Sequence, residues 1–468
     1  MRVGRTGAIV TLLMLIGAGL RLFRLDESFW LDEVLTMDYA RRSPAQLLMT
    51  AWPPLYRVLM HFWLNAAGTG EAIARTPSAL ASIASIPLMY AAGRRLLDRR
   101  DAIIATIFLT LSAHQIYYAQ EARYYGLLLL FLLLSFYGYL RVREGAGSRW
   151  VAAHTLASLA AVETHYFAVL SLGAQLVHSV LHRRRGPAAT AAIGPAVAIL
   201  AFGGRLTLFR LFEEGGARDP MEWIPPAGMA KLFAVPALLM GWGNGTFAVG
   251  GALLLLLAAT VVAFRTRPAE REREALSLLW LSLLLPLLVP FLVSLLYRPM
   301  FIARYLIGAS PALYLLAAWT LDRLRPMALS VAAVALCLGL SVHGIVRYYS
   351  TPQKPQWRDA ALLLDREARA GDLIWVGSTP HTQALGWYYR GPAVRCPLRE
   401  SGVASDAKPA CHGDWRRLWV ITIDGFSRET IRRRFDSMEP RPVRRRLLRL
   451  NGLTLTELER PGPSGNDG

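Results

Sequence analysis

The chain has 468 residues, 54% of them hydrophobic, and a mean hydropathy of +0.32, more apolar surface than a soluble domain of this size buries. Its formal net charge is +19, from 52 Lys and Arg against 33 Asp and Glu. The arginines fall mainly on alternate loops between apolar runs, so the charge reads as membrane orientation and attraction to anionic headgroups rather than as a nucleic-acid surface.

The first apolar run, at about 7–25, ends in Arg21 and Arg24 without a small-residue cleavage site, so it is expected to stay as a helix. Directly after it come Asp26-Glu27-Ser28-Phe29-Trp30-Leu31-Asp32-Glu33, four carboxylates around two large aromatics at a membrane edge. Paired acids fixed at a lipid-water boundary suit general-base chemistry on a substrate that is itself a lipid; the plain reading is a solvated interfacial loop beside an aromatic belt. Further runs at about 72–92, 101–119, 124–141, 150–165, 166–182, 188–206, 247–264, 275–296, 302–320 and 326–346 bring the count to about eleven spans. The two runs flanking Thr164-His165-Tyr166 are short enough to fuse into one helix. Residues 213–226 read as an external lid-like loop.

Arg2, Arg5, Arg94, Arg95, Arg141, Arg143, Arg265, Arg267, Arg323 and Arg325 share one side under this pattern. The acidic segment, residues 120–125, residues 297–305 and the C-terminal tail then share the other, outer side. Glu121 and Arg123, two residues apart, would point to different sides of a helix and so are expected in a turn. His165, between two short spans, reads as a candidate ligand contact or as a capping residue. Arg304 is either a phosphate ligand or a snorkelling anchor.

Beyond Tyr348 the composition changes. A helical pattern starts at Trp357-Arg358-Asp359, strand-like runs follow at 373–377 and 418–423, a helix is expected near 428–435, and two short runs lie at 444–450 and 453–459. These make a small external α/β domain over 347–460, with 461–468 as a disordered tail. Residues 1–346 form the transmembrane domain, whose first external loop, about 26–71, carries the acid pair. Cys337 packs within the last run, whereas Cys396 and Cys411 lie in the external tail, either paired or as two thiols. Pairing would add roughly 3 kcal/mol. Asp26, Glu27, Asp32 and Glu33 offer oxygen ligands for a possible divalent cation, and no other cofactor is indicated.

Several of these segments, taken in order, resemble one family. Arg21, Ser28-Phe29-Trp30-Leu31-Asp32-Glu33, Trp52-Pro53-Pro54-Leu55-Tyr56 and Arg75-Thr76-Pro77-Ser78 resemble the opening of bacterial C-type glycosyltransferases related to protein O-mannosyltransferases and aminoarabinose transferases. Gly93-Arg94-Arg95, the stretch Tyr117-Tyr118-Ala119-Gln120-Glu121-Ala122-Arg123-Tyr124-Tyr125, Thr164-His165-Tyr166-Phe167, Arg304-Tyr305-Leu306 and Trp357-Arg358-Asp359-Ala360 continue it across the chain. One departure is Trp52, where many relatives carry histidine before the Pro-Pro pair.

The resemblance implies a multi-pass protein of the bacterial inner membrane with its catalytic face and C-terminal domain outside. It implies inverting transfer of a sugar from a polyprenyl-phosphate donor to a hydroxyl on an envelope lipid, polysaccharide or protein. Asp32 is then the general base and Glu33 its orienting partner. Arg304 and Arg123 would hold the phosphate, with Tyr305, Glu121, His165, Trp30 and Arg21 as further substrate-binding residues. The alternative is a polytopic transporter or flippase of lipid-linked saccharides, although such proteins place ionisable groups near the midplane in repeated halves.

Overall fold

Each apolar run lies on helix, yet length and hydropathy separate them. In the computed structural model, which describes residues 4–50, 52–183, 187–212, 224–377, 381–396, 415–423 and 443–460, six helices are long and apolar enough to cross a membrane. They are Arg5–Leu22, Tyr125–Arg143, Ala188–Thr207, Thr246–Thr266, Glu270–Leu296 and Met327–Ser350. A seventh arises if Arg99–Leu111 and Ala113–Ala119 count as one span bent by 54°. The remaining runs fall short by length, as in Ser148–Val162, Ala168–Leu181 and Ser310–Arg323, or by composition, as in the 26-residue helix Glu71–Leu96 with its Arg75, Pro77 and Pro87. The two runs flanking His165 remain separate helices.

The bend at Ser112 has a local cause. Ser112 is extended (φ −68°, ψ 116°), its hydroxyl accepts from the Gln115 N–H at 3.4 Å and donates to the Leu239 carbonyl at 3.0 Å. A serine that caps a new helix competes with continuation of the old one. The interrupted helix leaves orphan carbonyls at its end. Arg21, fully buried, donates to Leu109 O at 3.0 Å and to Thr110 O at 3.2 Å, and its Nε reaches Ser82 Oγ at 2.8 Å.

The contacts divide the chain into two units: Met1–Leu25 with Tyr39–Ser350, and Asp26–Asp38 with Thr351–Gly468. In the first, helix Ser310–Arg323 runs through the core, with every residue from Ser310 to Leu321 buried. Helices Glu71–Leu96 and Tyr125–Arg143 meet closely at Gly126, where an added Cβ would come within 2.2 Å of the Ser78 carbonyl oxygen. Ser78 Oγ also donates to the Arg123 carbonyl, so one short stretch of helix holds the bend 120–124 in place. Gly126→Ala should therefore cost about 1–3 kcal/mol, read as a lower melting temperature of the purified protein; unchanged melting would show that the two helices separate freely.

The segment 26–71 contains helices Leu31–Ala40, Pro44–Leu48 and Leu55–Ala67, and Met229–Met240 is a short apolar helix interrupted by Pro236. Leu55–Ala67 buries Tyr56, Met60 and Leu64, one stripe at four-residue spacing.

The second unit is built on a five-stranded mixed sheet: β1 Leu373–Val376, β2 Val394–Cys396, β3 Arg417–Ile423, β4 Val443–Leu450 and β5 Leu453–Glu459, in the order β2-β1-β3-β5-β4. β1 pairs parallel with β2 and β3, and β5 pairs antiparallel with β3 and β4. Asn451-Gly452 closes the β4–β5 hairpin, with Gly452 at φ +70°, a conformation that glycine adopts without steric cost. Helices Trp357–Glu367 and His381–Tyr388 accompany the sheet. β2 and the helix His381–Tyr388 have no counterpart in the sequence reading. The expected helix at 428–435, the loop at 213–223, Cys411 with any Cys396 pairing, and the tail 461–468 lie outside the described residues.

Candidate active site

The acid segment is organised by its backbone. Asp32 and Glu33 occupy the first turn of helix Leu31–Ala40, where carboxylates complement the helix dipole. Glu33 is fully buried, and its carboxylate accepts the Trp30 N–H at 3.3 Å, an N-terminal capping contact. Asp32 beside it is only half-buried, so its carboxylate stands at the surface of a turn that Glu33 pins.

Residues before this turn are stitched to the C-terminal part of the same unit. Glu27 accepts the N–H groups of Gln353 at 3.0 Å and Lys354 at 3.2 Å, Ser28 Oγ donates to Pro355 O at 2.7 Å, and Phe29 N donates to Tyr388 Oη at 2.6 Å. Lys354, itself buried, places its ammonium 5.6 Å from the Trp30 ring centre. His381 stacks on the buried Trp357 at 6.1 Å, and burial pushes its pKa down to about 4 against the opposing pull of Asp32. Lys354 and His381 are absent from the sequence-derived candidates, because the fold alone groups them with residues more than 300 positions earlier. Among the described residues no three His, Cys, Asp or Glu side chains converge on a cation site, so the four acids do not form the oxygen cage a divalent ion needs.

In the first unit a second group of residues comes together around His165. Tyr124 lies 4.8 Å from the His165 ring and Tyr305 5.1 Å, with Tyr125 tilted against Tyr124 at 4.6 Å and Phe167 against Tyr305 at 4.9 Å. Arg123 sits over the Tyr124 ring at 4.8 Å and Arg304 over the Tyr305 ring at 5.5 Å. Arg123 and Arg304 both act electrostatically on His165 and on Tyr305. Bonds from loops and helix ends fix these parts: Ser78 holds the Arg123 carbonyl, and Leu55 N donates to Glu163 O at 2.9 Å, tying the Trp52-Pro53-Pro54 turn to the His165 loop. As the spacing indicates, Glu121 and Arg123 lie in a bend, with Glu121 fully buried.

The donors in this cluster are directed by chemistry that can be read bond by bond. His165 Nδ1 accepts the Phe167 N–H at 3.1 Å, which leaves the proton on Nε2, and Nε2 has no hydrogen-bond partner among the described residues. The Tyr125 hydroxyl is buried with no partner among them either. Burial, reinforced by Arg123 and Arg304, pushes the His165 pKa down to about 3, so near neutrality the ring donates without charge. Arg57 is a third cation here, absent from the sequence-derived candidates: it packs over Tyr39 at 3.9 Å, and burial with the nearby Arg123 charge lowers its pKa. In sequence it follows Trp52-Pro53-Pro54-Leu55-Tyr56 directly. Trp52, at the departure from the family pattern, stacks on Tyr166 at 6.1 Å and remains partly exposed. Arg21 does not join this cluster, because its guanidinium caps the broken helix end described above.

Neutral burial of His165 and His381 has a consequence for stability. Their unfolded forms take up a proton near the ordinary histidine value of about 6.5 and the folded forms do not. Stability is thus greatest above that value and falls as pH drops toward about 3–4. The melting temperature should fall between pH 7.5 and pH 5, and fall less in His165→Asn; an equal fall in both proteins would remove His165 from this linkage.

Residues 51–203 match the family described as dolichyl-phosphate-mannose-protein mannosyltransferase. No curated protein matches the chain significantly in sequence. The fold is similar to that of ArnT from Cupriavidus metallidurans in the apo state, with a TM-score of 0.60 at 14% identity, covering 96% of this chain and 97% of that one. ArnT from the same organism bound to undecaprenyl phosphate aligns with a TM-score of 0.59 at 14% identity, covering 98% of each chain. The resemblance to C-type glycosyltransferases therefore extends to the fold of the whole chain, and to the sequence over the segment holding the Pro-Pro turn, the 120–125 bend and His165.

Proposed function

We propose that the protein is an inverting membrane glycosyltransferase that moves a sugar from a polyprenyl-phosphate donor to a hydroxyl acceptor of the cell envelope. The observation that carries this reading is the gathering of two arginines and the His165 Nε2–H in one cluster. Arg123, Arg304, the His165 Nε2–H and the Tyr125 hydroxyl supply cations and hydrogen-bond donors suited to phosphate oxygens. Arginine's planar fork is the side chain best matched to a phosphate, and shielding from water strengthens the contact. The bond that breaks joins the sugar's anomeric carbon to a phosphate oxygen, so negative charge develops on the departing lipid phosphate, where such donors act most.

Asp32 supplies the complementary step. Its carboxylate takes the proton of the acceptor hydroxyl as that oxygen attacks the anomeric carbon, and the polyprenyl phosphate leaves with the bonding electron pair. Glu33, engaged with the Trp30 N–H, holds the turn that presents Asp32. The fold shared with ArnT and the family match over residues 51–203 support the enzymatic reading over a transporter or flippase. The outer face of the membrane suits it, since a lipid-linked sugar needs no nucleotide there.

The test is turnover by the purified full chain, given a polyprenyl-phosphate sugar and an envelope acceptor fraction, followed by mass spectrometry of the product and release of polyprenyl phosphate. Product of inverted anomeric configuration is expected. Vectorial movement of the lipid-linked saccharide across proteoliposomes, with no glycosidic product, would instead establish the transporter.

A further inference from the structure

A second charged region lies in the first unit at the other end of helix Glu71–Leu96. Ser78 of that helix touches the Arg123 bend, and Arg94 lies sixteen residues further along, on the order of 24 Å at the rise of an α-helix. Here two cavities of about 250 and 390 Å³ adjoin, sharing Arg95, Leu96 and Arg271 in their linings.

The ion pairs around them are unequal. Arg95 is paired with Glu144 at 2.8 Å, Arg323 with Glu272 at 2.6 Å, and Arg143 with Glu274. Asp98, the remaining carboxylate of the larger cavity, is exposed and lies 4.0 Å from Arg323. Arg94 donates only to the Leu97 carbonyl at 3.0 Å, and Arg271 makes no ion pair or hydrogen bond among the described residues. Both are exposed. The joined linings hold Arg94, Arg95, Arg143, Arg271 and Arg323 against Asp98, Glu144, Glu272 and Glu274, so one positive charge is left over. Arg94 and Arg271 are the two arginines there with no ion pair among the described residues, a distribution that suits an added anion.

The lining of the smaller cavity includes the apolar Leu96, Leu140 and Leu278. Its walls are the ends of Tyr125–Arg143 and Glu270–Leu296, two helices long and apolar enough to cross a membrane. Further along, the second of these exposes Leu284, Leu288 and Leu292. A cationic cavity at the polar end of apolar helices matches a ligand that is charged at one end and greasy at the other.

We propose that these adjoining cavities form a second anion site that holds the phosphate-bearing headgroup of a membrane lipid between Arg94 and Arg271. The site does not depend on the glycosyl-transfer reading and shares no residue with the His165 cluster. A membrane phospholipid bound there would anchor the bundle at that end.

Native mass spectrometry of the full chain in detergent micelles tests it, with a diphosphate phospholipid, a phosphate-monoester phospholipid and a zwitterionic phosphocholine lipid as probes. The wild type should retain the two anionic lipids over the zwitterionic one. At about 5-fold per arginine, the double variant Arg94→Gln with Arg271→Gln should weaken that retention roughly 25-fold. The Arg94→Lys, Arg271→Lys double variant should retain most of the affinity, which separates charge from misfolding. Equal retention of all three lipids by the wild type, or full retention by the glutamine pair, would overturn the proposal. So would saturation by inorganic pyrophosphate in the absence of lipid, which would assign the cavities to a soluble anion.

Discussion

Asp32→Asn should reduce turnover by about two to four orders of magnitude, the range expected when a general base is removed from a reaction that still binds its substrates. Asparagine keeps the size and polarity of the side chain, and the Glu33 capping contact with the Trp30 N–H is left in place. The melting temperature should therefore stay near that of the wild type, as should affinity for the polyprenyl phosphate. Glu33→Gln separates the two acids. Glu33 is fully buried, so its loss should appear both in stability and in turnover, while that of Asp32 should appear in turnover alone. Turnover by Asp32→Asn within tenfold of the wild type would remove the carboxylate from the proton-transfer step.

Arg304→Gln and Arg123→Gln should each lower kcat/KM for the lipid-linked donor by about 10- to 150-fold, the span of a lost charge-assisted hydrogen bond of roughly 1.5–3 kcal/mol. Both arginines lie over tyrosine rings that the substitutions leave in place, so the aromatic frame around His165 should persist. Free polyprenyl phosphate as a competitive inhibitor makes the role specific. If these side chains read the phosphate, its inhibition constant rises by a similar factor, and Arg→Lys recovers part of the loss because lysine keeps the charge without the fork. An inhibition constant unchanged by either substitution would place the arginines in packing rather than in phosphate recognition.

Part of the candidate site was legible as a string of residues. The Glu121 and Arg123 turn follows from their spacing, and Arg123, His165, Arg304 and Tyr305 are indeed gathered into one cluster of the first unit. Arg21 shows the limit of that reading. A cation at the end of the first helix looks like an interfacial ligand, but Ser112 breaks a helix distant in sequence and leaves carbonyls that this guanidinium satisfies. Six of the apolar runs form helices long and apolar enough to cross a membrane, and the others form shorter or more polar ones. Arg57 and His381 were missed because neither stands in a periodic or motif context; one acquires meaning from Arg123 and the other from Asp32.

By itself the sequence determined that this is a helical, membrane-class chain with a terminal α/β part, because hydropathy and alternation are local properties repeated over many residues. It also determined the two kinds of chemistry on offer, paired acids and arginine-tyrosine motifs, since residue types are written directly. Only the tertiary structure decided that residues 26–38 pack with the C-terminal sheet unit, that Arg21 is a helix cap, and which donors converge around His165. Those outcomes depend on contacts between segments tens to hundreds of residues apart, and such contacts are selected by the fit of the whole fold rather than by any short stretch of it.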